Sequence, residues 1–232
     1  MKTTLALLLS LLAALTTVRA RAAPAWTEGR DYVVLAQPQR TNVAPGKIEV
    51  LEVFSYGCPV CNTFQPTMEL LKKSLPPNAQ LAYLPAAFNK AEDWPMFQRA
   101  WFAAQALGID ARTHPLMFDA VWKTGELATT DSRTRRLKDP QPTLEQAAQA
   151  YARWTGVKAA DFLAMARSFT VDGRMRAADE QVLAMQVPGT PTIVVDGRYR
   201  IAENIISETV RTGPANQLIP LVSFLVAKAG GH

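Results

Sequence analysis

Cys58 and Cys61 are the only cysteines of the 232-residue chain, and they form a single Cys-Pro-Val-Cys motif. A disulfide between them closes a very small loop, and the stabilisation that a cross-link gives grows with the length of the loop it closes. We therefore expect a pair that opens and closes rather than one that holds the fold together. Two alternatives stay open: an inert disulfide, and a structural zinc site, for which only His114 and His232 could add histidine ligands.

The residues on either side of the pair predict a strand, a turn and a helix. Residues 48–54 are mostly β-branched and apolar, which is typical of a buried strand. Pro59 suits the first helical position, and Pro76 and Pro77 end the run of helically spaced apolar residues that follows it. This is the thioredoxin-type order of elements, with the cysteine pair at the start of the helix.

Such an arrangement gives the two thiols different roles. Cys58 is expected to cap the helix, where unpaired N–H groups and the helix dipole favour the thiolate, which is the nucleophile in disulfide exchange. Cys61, one turn further in, is predicted to be the resolving thiol, and Pro59 and Val60 to support the pair. No metal and no cofactor are predicted, because the cysteines themselves carry the electrons.

Glu52 stands out because it is a charged residue within the predicted buried strand, on the same strand face as Val50 and Phe54. Burial would raise the pKa of its carboxyl group, which could then exchange a proton with Cys61. The alternative is a strand-end carboxylate paired with a base such as Lys47, which would lower that pKa instead.

The N-terminus predicts export. Lys2 precedes an apolar run from Leu5 to Leu15, and small residues follow as far as Ala22, so residues 1–22 have the features of a secretory signal peptide. Cleavage is expected after Ala22, with cleavage after Ala20 as the alternative. The apolar run is too short for a membrane span. Exported compartments are oxidising, which suits a carrier of disulfides.

The charge of the chain gives no reason to expect a nucleic-acid partner. The formal net charge is +5, but residues 1–22 hold three basic residues and no acidic one. The remaining chain has 22 basic and 20 acidic residues, a net charge of +2. The basic run at residues 133–138 is interpreted as a solvated loop rather than a docking patch.

Beyond the first helix the pattern changes twice. Gln80 to Phe88 predicts a second buried strand, and residues 89–170 predict a helical block. Its helices are one opened by Asp93 with Pro95 in its first turn, one after Pro115, one with a capping box at 143–146, and one from Asp161 to Phe169.

Sheet character returns in the last part of the chain. A long helix around residues 175–185 leads to a strand at 192–195, and Asp196 with Gly197 predicts a hairpin turn into a further short strand. A last helix is predicted from about Ala215 to Lys228, where Pro220 is tolerable only in the first turn.

On these residues the chain resembles the DsbA family of periplasmic thiol:disulfide oxidoreductases. The resemblance is carried by residues 53–61 around the cysteines, by residues 100–108, and by residues 187–199. It implies an α/β fold, a thioredoxin-like domain interrupted by an inserted all-helical domain. The expected division is a signal peptide at 1–22, a first thioredoxin-like part at 23–88, the helical domain at 89–170, and a second thioredoxin-like part at 171–232.

The resemblance also implies an activity, a substrate site and partners. The protein is expected to be a periplasmic, monomeric enzyme that oxidises the thiols of reduced exported proteins and is reoxidised by a quinone-linked inner-membrane partner of the DsbB type. Pro191 is expected to be the cis-proline facing the cysteines, and Thr190 to offer its backbone to an extended substrate. The alternative functions are an exported dithiol reductase or isomerase, and a copper(I)-binding chaperone.

Three positions depart from the family pattern. Many members carry histidine where this chain has Val60, so a less oxidising disulfide is expected here. Some members place a lysine opposite the buried strand carboxylate, and residues 81–85 contain none. Gln65 stands where the family has an acidic residue early in the first helix.

Overall fold

The computed structural model describes residues 26–231 of the chain. The predicted signal peptide, residues 1–22, and its cleavage site lie outside this described part, and so does His232. Between residues 26 and 231, none of the helices is both long enough and apolar enough to cross a membrane.

The centre of the molecule is a five-stranded sheet in the order β1-β5-β4-β2-β3. Strands β2 and β3 are parallel, and the other neighbouring strands are antiparallel. The strands are β1 Tyr32–Val34, β2 Ile48–Phe54, β3 Ala79–Pro85, β4 Thr192–Val195 and β5 Tyr199–Ile201. The predicted strand at 48–54 and the hairpin turn between β4 and β5 are confirmed, whereas β1 was not predicted.

Strand β3 corrects the prediction of a buried strand over Gln80 to Phe88. It lies at the edge of the sheet and pairs only with β2, so most of its residues are partly exposed. The N–H of Ala86 still donates to the carbonyl of Phe54 at 2.8 Å, after which the chain leaves the sheet. Phe88 therefore lies outside the strand, with 46% of its surface exposed.

Eight α-helices and one π-helical turn complete the part of the fold that the structure describes. The π-helical turn, Asp119–Lys123, continues directly from α3. The helices are α1 Pro59–Ser74, α2 Trp94–Ala106, α3 Asp110–Phe118, α4 Leu144–Thr155, α5 Ala159–Ala166, α6 Phe169–Ala184, α7 Glu203–Thr212 and α8 Leu218–Ala229.

Several predicted helix boundaries hold. Helix α1 begins at Pro59 and ends before the two prolines, and Thr143 forms the predicted capping box with Gln146 at the start of α4. Pro220 lies in the first turn of α8, where a proline is tolerated. Asp93 is the residue before α2, but its side chain makes no capping hydrogen bond.

Other helix predictions were wrong. Pro115 does not start a helix but lies inside α3, because packing of Met117 and Phe118, both buried, outweighs the one backbone hydrogen bond that the proline removes. The helix predicted from Asp161 to Phe169 ends at Ala166, since the side chain of Ser168 accepts a hydrogen bond from the backbone of Val171 and so starts α6. Helix α7 was not predicted at all.

Helices cover both faces of the sheet, which is why every residue of β2 is buried. On one face Val50 and Ile193 pack with apolar residues of α1, α7 and α8. On the other face Leu51 and Val53 pack with residues of the helical block, α2 to α5, and of α6. The carboxyl end of β2 thus leads into the cysteine motif at the boundary between the two layers.

Candidate active site

Cys58 is the N-cap residue of α1, as the sequence predicts. Its Sγ accepts a hydrogen bond from the backbone N–H of Cys61 at 3.3 Å. The pKa of Cys58 is lowered to about 6 by hydrogen bonds from the Cys61 thiol, the Thr190 side chain and the N–H groups of Cys61 and Val60, which outweigh the opposing effect of burial. Cys58 is therefore a thiolate at neutral pH.

Cys61 has the opposite character. It lies in the first turn of α1, is fully buried, and is an unpaired thiol like Cys58 in this structure. Burial raises its pKa well above the usual value, and the negative charges of Cys58 and Glu52 raise it further. Cys58 is thus the more acidic thiol and Cys61 the less acidic one. This difference suits a nucleophilic Cys58 and a resolving Cys61.

Glu52 lies on β2 beside Tyr83 of β3 and Ile193 of β4. It has no solvent-exposed surface, and neither of its carboxyl oxygens has a hydrogen-bond partner among the described residues. Burial raises the pKa of Glu52 well above its usual value, and the charge of Cys58 adds to the effect. The alternative of a pair with Lys47 is wrong, because the Lys47 ammonium group bonds instead to the carbonyl of Pro77.

Thr190 and Pro191 lie beside the cysteine pair, although Thr190 is 132 positions after Cys58 in the sequence. The peptide bond between them is cis, as predicted. When it is protonated, the Cys58 thiol donates to the Thr190 carbonyl at 3.3 Å. The loop before β4 thus lies directly against the reactive sulfur.

A groove of about 390 Å³ opens beside this loop. Val60, with 40% of its surface exposed, lines the groove together with apolar and polar residues of α7. The groove residues that matter here are Val60, Gly189, Thr190, Pro191, Ile206 and Val210. Pro59 is exposed at the start of α1, and the Gln65 amide lies 3.5 Å from the Cys61 carbonyl.

The residues that hold the turn before Cys58 were missed by sequence reasoning. Trp122 Nε1 donates to the backbone carbonyl of Tyr56 at 2.8 Å, and the Tyr56 hydroxyl lies 3.0 Å from His114 Nδ1. The indole of Trp94 covers Gly57. These residues are 37 to 66 positions from the turn or its neighbours in sequence, so no local pattern marks them. His114 entered the sequence analysis only as a possible zinc ligand.

Over residues 26–231 the structure contains no group of three or more histidine, cysteine, aspartate or glutamate side chains that could hold a metal ion. His114 Nδ1 lies 3.0 Å from the Tyr56 hydroxyl.

Comparison with known proteins agrees with this geometry. A family model for the DSBA-like thioredoxin domain matches residues 49–211. The thiol:disulfide interchange protein DsbA of Pseudomonas aeruginosa is 30% identical over 203 residues, which are 88% of this chain and 85% of that protein. The DsbA of Azotobacter vinelandii is 33% identical over 173 residues, which are 74% and 72% of the two chains.

Solved structures give the same result. The crystal structure of the oxidoreductase DsbA from Xylella fastidiosa superposes with a TM-score of 0.72 at 29% identity, covering 89% of this chain and 98% of that one. The crystal structure of Pseudomonas aeruginosa DsbA gives a TM-score of 0.69 at 30% identity, covering 89% and 95%. With its helical block, its cysteine pair at a helix N-terminus and its cis-proline opposite, the chain belongs to the family of DsbA-like thioredoxin-fold proteins.

Proposed function

We propose that this protein is a thiol:disulfide oxidoreductase that donates its Cys58–Cys61 disulfide to exported proteins. The observation that carries the proposal is the difference between the two thiols, with the pKa of Cys58 lowered to about 6 and that of Cys61 raised. A stable Cys58 thiolate favours the dithiol form of the enzyme, which makes its disulfide the stronger oxidant.

The proposed reaction consists of two thiol exchanges. A substrate thiolate attacks Sγ of Cys58 in the oxidised enzyme, and the disulfide breaks with Cys61 as the leaving thiolate. The second thiolate of the substrate then attacks the substrate sulfur of the mixed disulfide, and Cys58 leaves as a thiolate. The substrate loses two electrons and the enzyme gains two, so the cysteine pair itself is the oxidant.

Glu52 is proposed to supply the proton that the first exchange consumes. The Cys61 thiolate is a poor leaving group unless it is protonated, because its pKa is raised by burial. Glu52 lies close enough for its charge to affect both thiols, and burial raises its own pKa well above the usual value, which favours the protonated acid. It can therefore give its proton to Cys61 and recover one from solvent later.

The substrate is proposed to bind as an extended strand along Thr190 and Pro191. The loop lies against Cys58 Sγ, so a strand hydrogen-bonded to the Thr190 backbone brings its cysteine to the reactive sulfur. The groove beside Val60 is largely lined by apolar side chains and backbone, which suits side chains of an unfolded chain without a fixed sequence.

The compartment and the partners are proposed from the N-terminal sequence and from family membership. Residues 1–22 have the features of a signal peptide, and we propose that the mature protein acts in the periplasm, as a monomer, on reduced exported proteins. A quinone-linked inner-membrane oxidase of the DsbB type is the proposed source of oxidising equivalents. The domain division at 23–88, 89–170 and 171–232 is kept as a proposal, supported by helices α2 to α5, all of which lie within 89–170.

Oxidation of a model peptide with two cysteines tests the proposal. Oxidised wild-type protein should convert the peptide to its disulfide in a one-to-one reaction without oxygen, and Cys58→Ser should not. Reduction of peptide disulfides or reshuffling of a scrambled protein at higher rates than peptide oxidation would favour the reductase or isomerase. Tight binding of one cuprous ion with no thiol exchange would favour the copper chaperone.

A further inference from the structure

Tyr56, two residues before the reactive cysteine, is held at both of its ends by the helical block. Trp122, in the π-helical turn, donates to its main-chain carbonyl, and His114, in α3, bonds to its hydroxyl group. Neither contact is made by the thioredoxin-like layers of the fold. The turn that presents Cys58 therefore depends on residues from outside the sheet and α1.

His114 is locked in a ring of aromatic side chains. Its ring centroid lies 4.5 to 5.2 Å from the ring centroids of four aromatic residues, namely Phe54, Tyr83, Trp101 and Phe118. Burial lowers the pKa of His114 to about 3, so the imidazole is neutral throughout the physiological range. A neutral imidazole packed among aromatic rings acts here as the hydrogen-bonding partner of the Tyr56 hydroxyl.

The backbone between Tyr56 and Cys58 has little freedom. A Cβ atom on Gly57 would lie 2.3 Å from Nε1 of Trp94, so the indole occupies the space of a side chain. The N–H of Gly57 donates to Ser55 Oγ at 3.2 Å, and the N–H of Cys58 donates to the Ser55 carbonyl at 3.1 Å. A displacement of the Tyr56 peptide is therefore passed on to Cys58.

We propose that Trp122 and His114 are positioning residues that keep the Cys58 sulfur over the N-terminus of α1. The thiolate is stabilised there by N–H groups, of which that of Cys61 is 3.3 Å away, and such bonds weaken when their geometry is disturbed. Releasing the Tyr56 carbonyl lets the turn shift and loosens this contact. The helical block thus sets the acidity of the nucleophile as well as covering the sheet.

The test is Trp122→Phe, which keeps an aromatic ring and removes the N–H donor. Loss of one hydrogen bond predicts that the pKa of Cys58 rises by about half a unit. This pKa is measured from the thiolate absorbance of the reduced protein. The equilibrium with glutathione should shift about threefold toward the enzyme disulfide. Trp154→Phe, a half-buried tryptophan of α4 distant in sequence from the motif, is the matched control and should change neither quantity.

His114→Phe and Tyr56→Phe test the other end of the contact, alone and combined. Both variants remove the bond between Tyr56 and His114, and Tyr56→Phe also removes the interaction of its hydroxyl with Tyr151, so the double variant should raise the Cys58 pKa no more than Tyr56→Phe alone does. Variants that lower the melting temperature but leave the pKa and the glutathione equilibrium unchanged would overturn the proposal. Since thiolate absorbance needs no substrate, this inference, which builds on the proposed exchange chemistry, can fail while peptide oxidation by the wild type still succeeds.

Discussion

The acidity of Cys58 makes the reduced protein more stable as the pH rises, and Cys58→Ala should abolish that gain. A free thiol in the unfolded chain has a pKa of about 8.5, whereas the pKa of Cys58 in the folded protein is about 6. A group whose pKa is lower in the folded than in the unfolded protein adds its full stability at pH values above the unfolded-state pKa. That stability is lost as the pH falls through the folded-state pKa.

The size of the effect follows from this difference. One unit of pKa difference corresponds to about 1.36 kcal/mol. Between pH 5 and pH 8.5 the unfolding free energy of the reduced wild type should therefore rise by about 3 kcal/mol more than that of Cys58→Ala. The fixed cost of removing a buried side chain is the same at every pH and drops out of the comparison. The oxidised protein, which has no thiol to ionise, should lack the gain as well.

Guanidinium denaturation under reducing conditions, repeated at several pH values for both proteins, measures the difference. Ionisable groups that do not interact with Cys58 are shared by the two proteins and cancel, whereas Glu52 and Cys61, whose pKa values the Cys58 charge raises, do not cancel fully. Cys61, whose raised pKa acts in the opposite sense, matters mainly above pH 8.5, outside the window used. A difference between the two proteins that changes by less than about 1 kcal/mol over the window would refute the argument for a stabilised thiolate.

Three further predictions concern the same site. Val60→His should make the disulfide more oxidising by some tens of millivolts, since about 30 mV corresponds to about 1.4 kcal/mol for a two-electron couple, and a potential that stays constant or falls would contradict it. Cys61→Ala should accumulate mixed disulfides between Cys58 and substrate, visible on non-reducing gels, whereas Cys58→Ser should form none. Glu52→Gln should slow peptide oxidation and change its pH dependence; a wild-type rate at every pH would exclude a role in proton transfer. Because the raised pKa of Glu52 costs folded-state stability once the unfolded carboxyl ionises, this variant should also be the more stable protein at neutral pH.

Elements defined by local chemistry could be predicted from the sequence. The apolar run of β2, the proline at the start of α1 and the capping box of α4 each contain their own signal within a few residues. The raised pKa of Glu52 could be predicted too, because a carboxylate inside an apolar strand has few possible partners nearby. The assignment of Cys58 as the cap depends on the same local order of strand, turn and helix.

Elements defined by distant contacts could not be predicted in this way. Strand β1 has only three residues and exists through its pairing with β5, nearly 170 positions later. Helix α3 passes through Pro115 because its buried face packs on the sheet side of the molecule, which outweighs a local helix-breaking signal. The contacts of Tyr56 with His114 and Trp122 arise only when the helical block folds against the turn.

The contact between Cys58 and Thr190 joins positions 132 residues apart, and β4, which follows Thr190, inserts between β5 and β2. A ribosome therefore completes both cysteines long before it makes the strand that finishes their surroundings. Until that strand has paired, Cys58 lacks the Thr190 side chain that helps to hold its charge, and the central sheet has a gap. The surroundings of the two thiols are thus complete only when the last third of the polypeptide has been made and β4 has paired with β2.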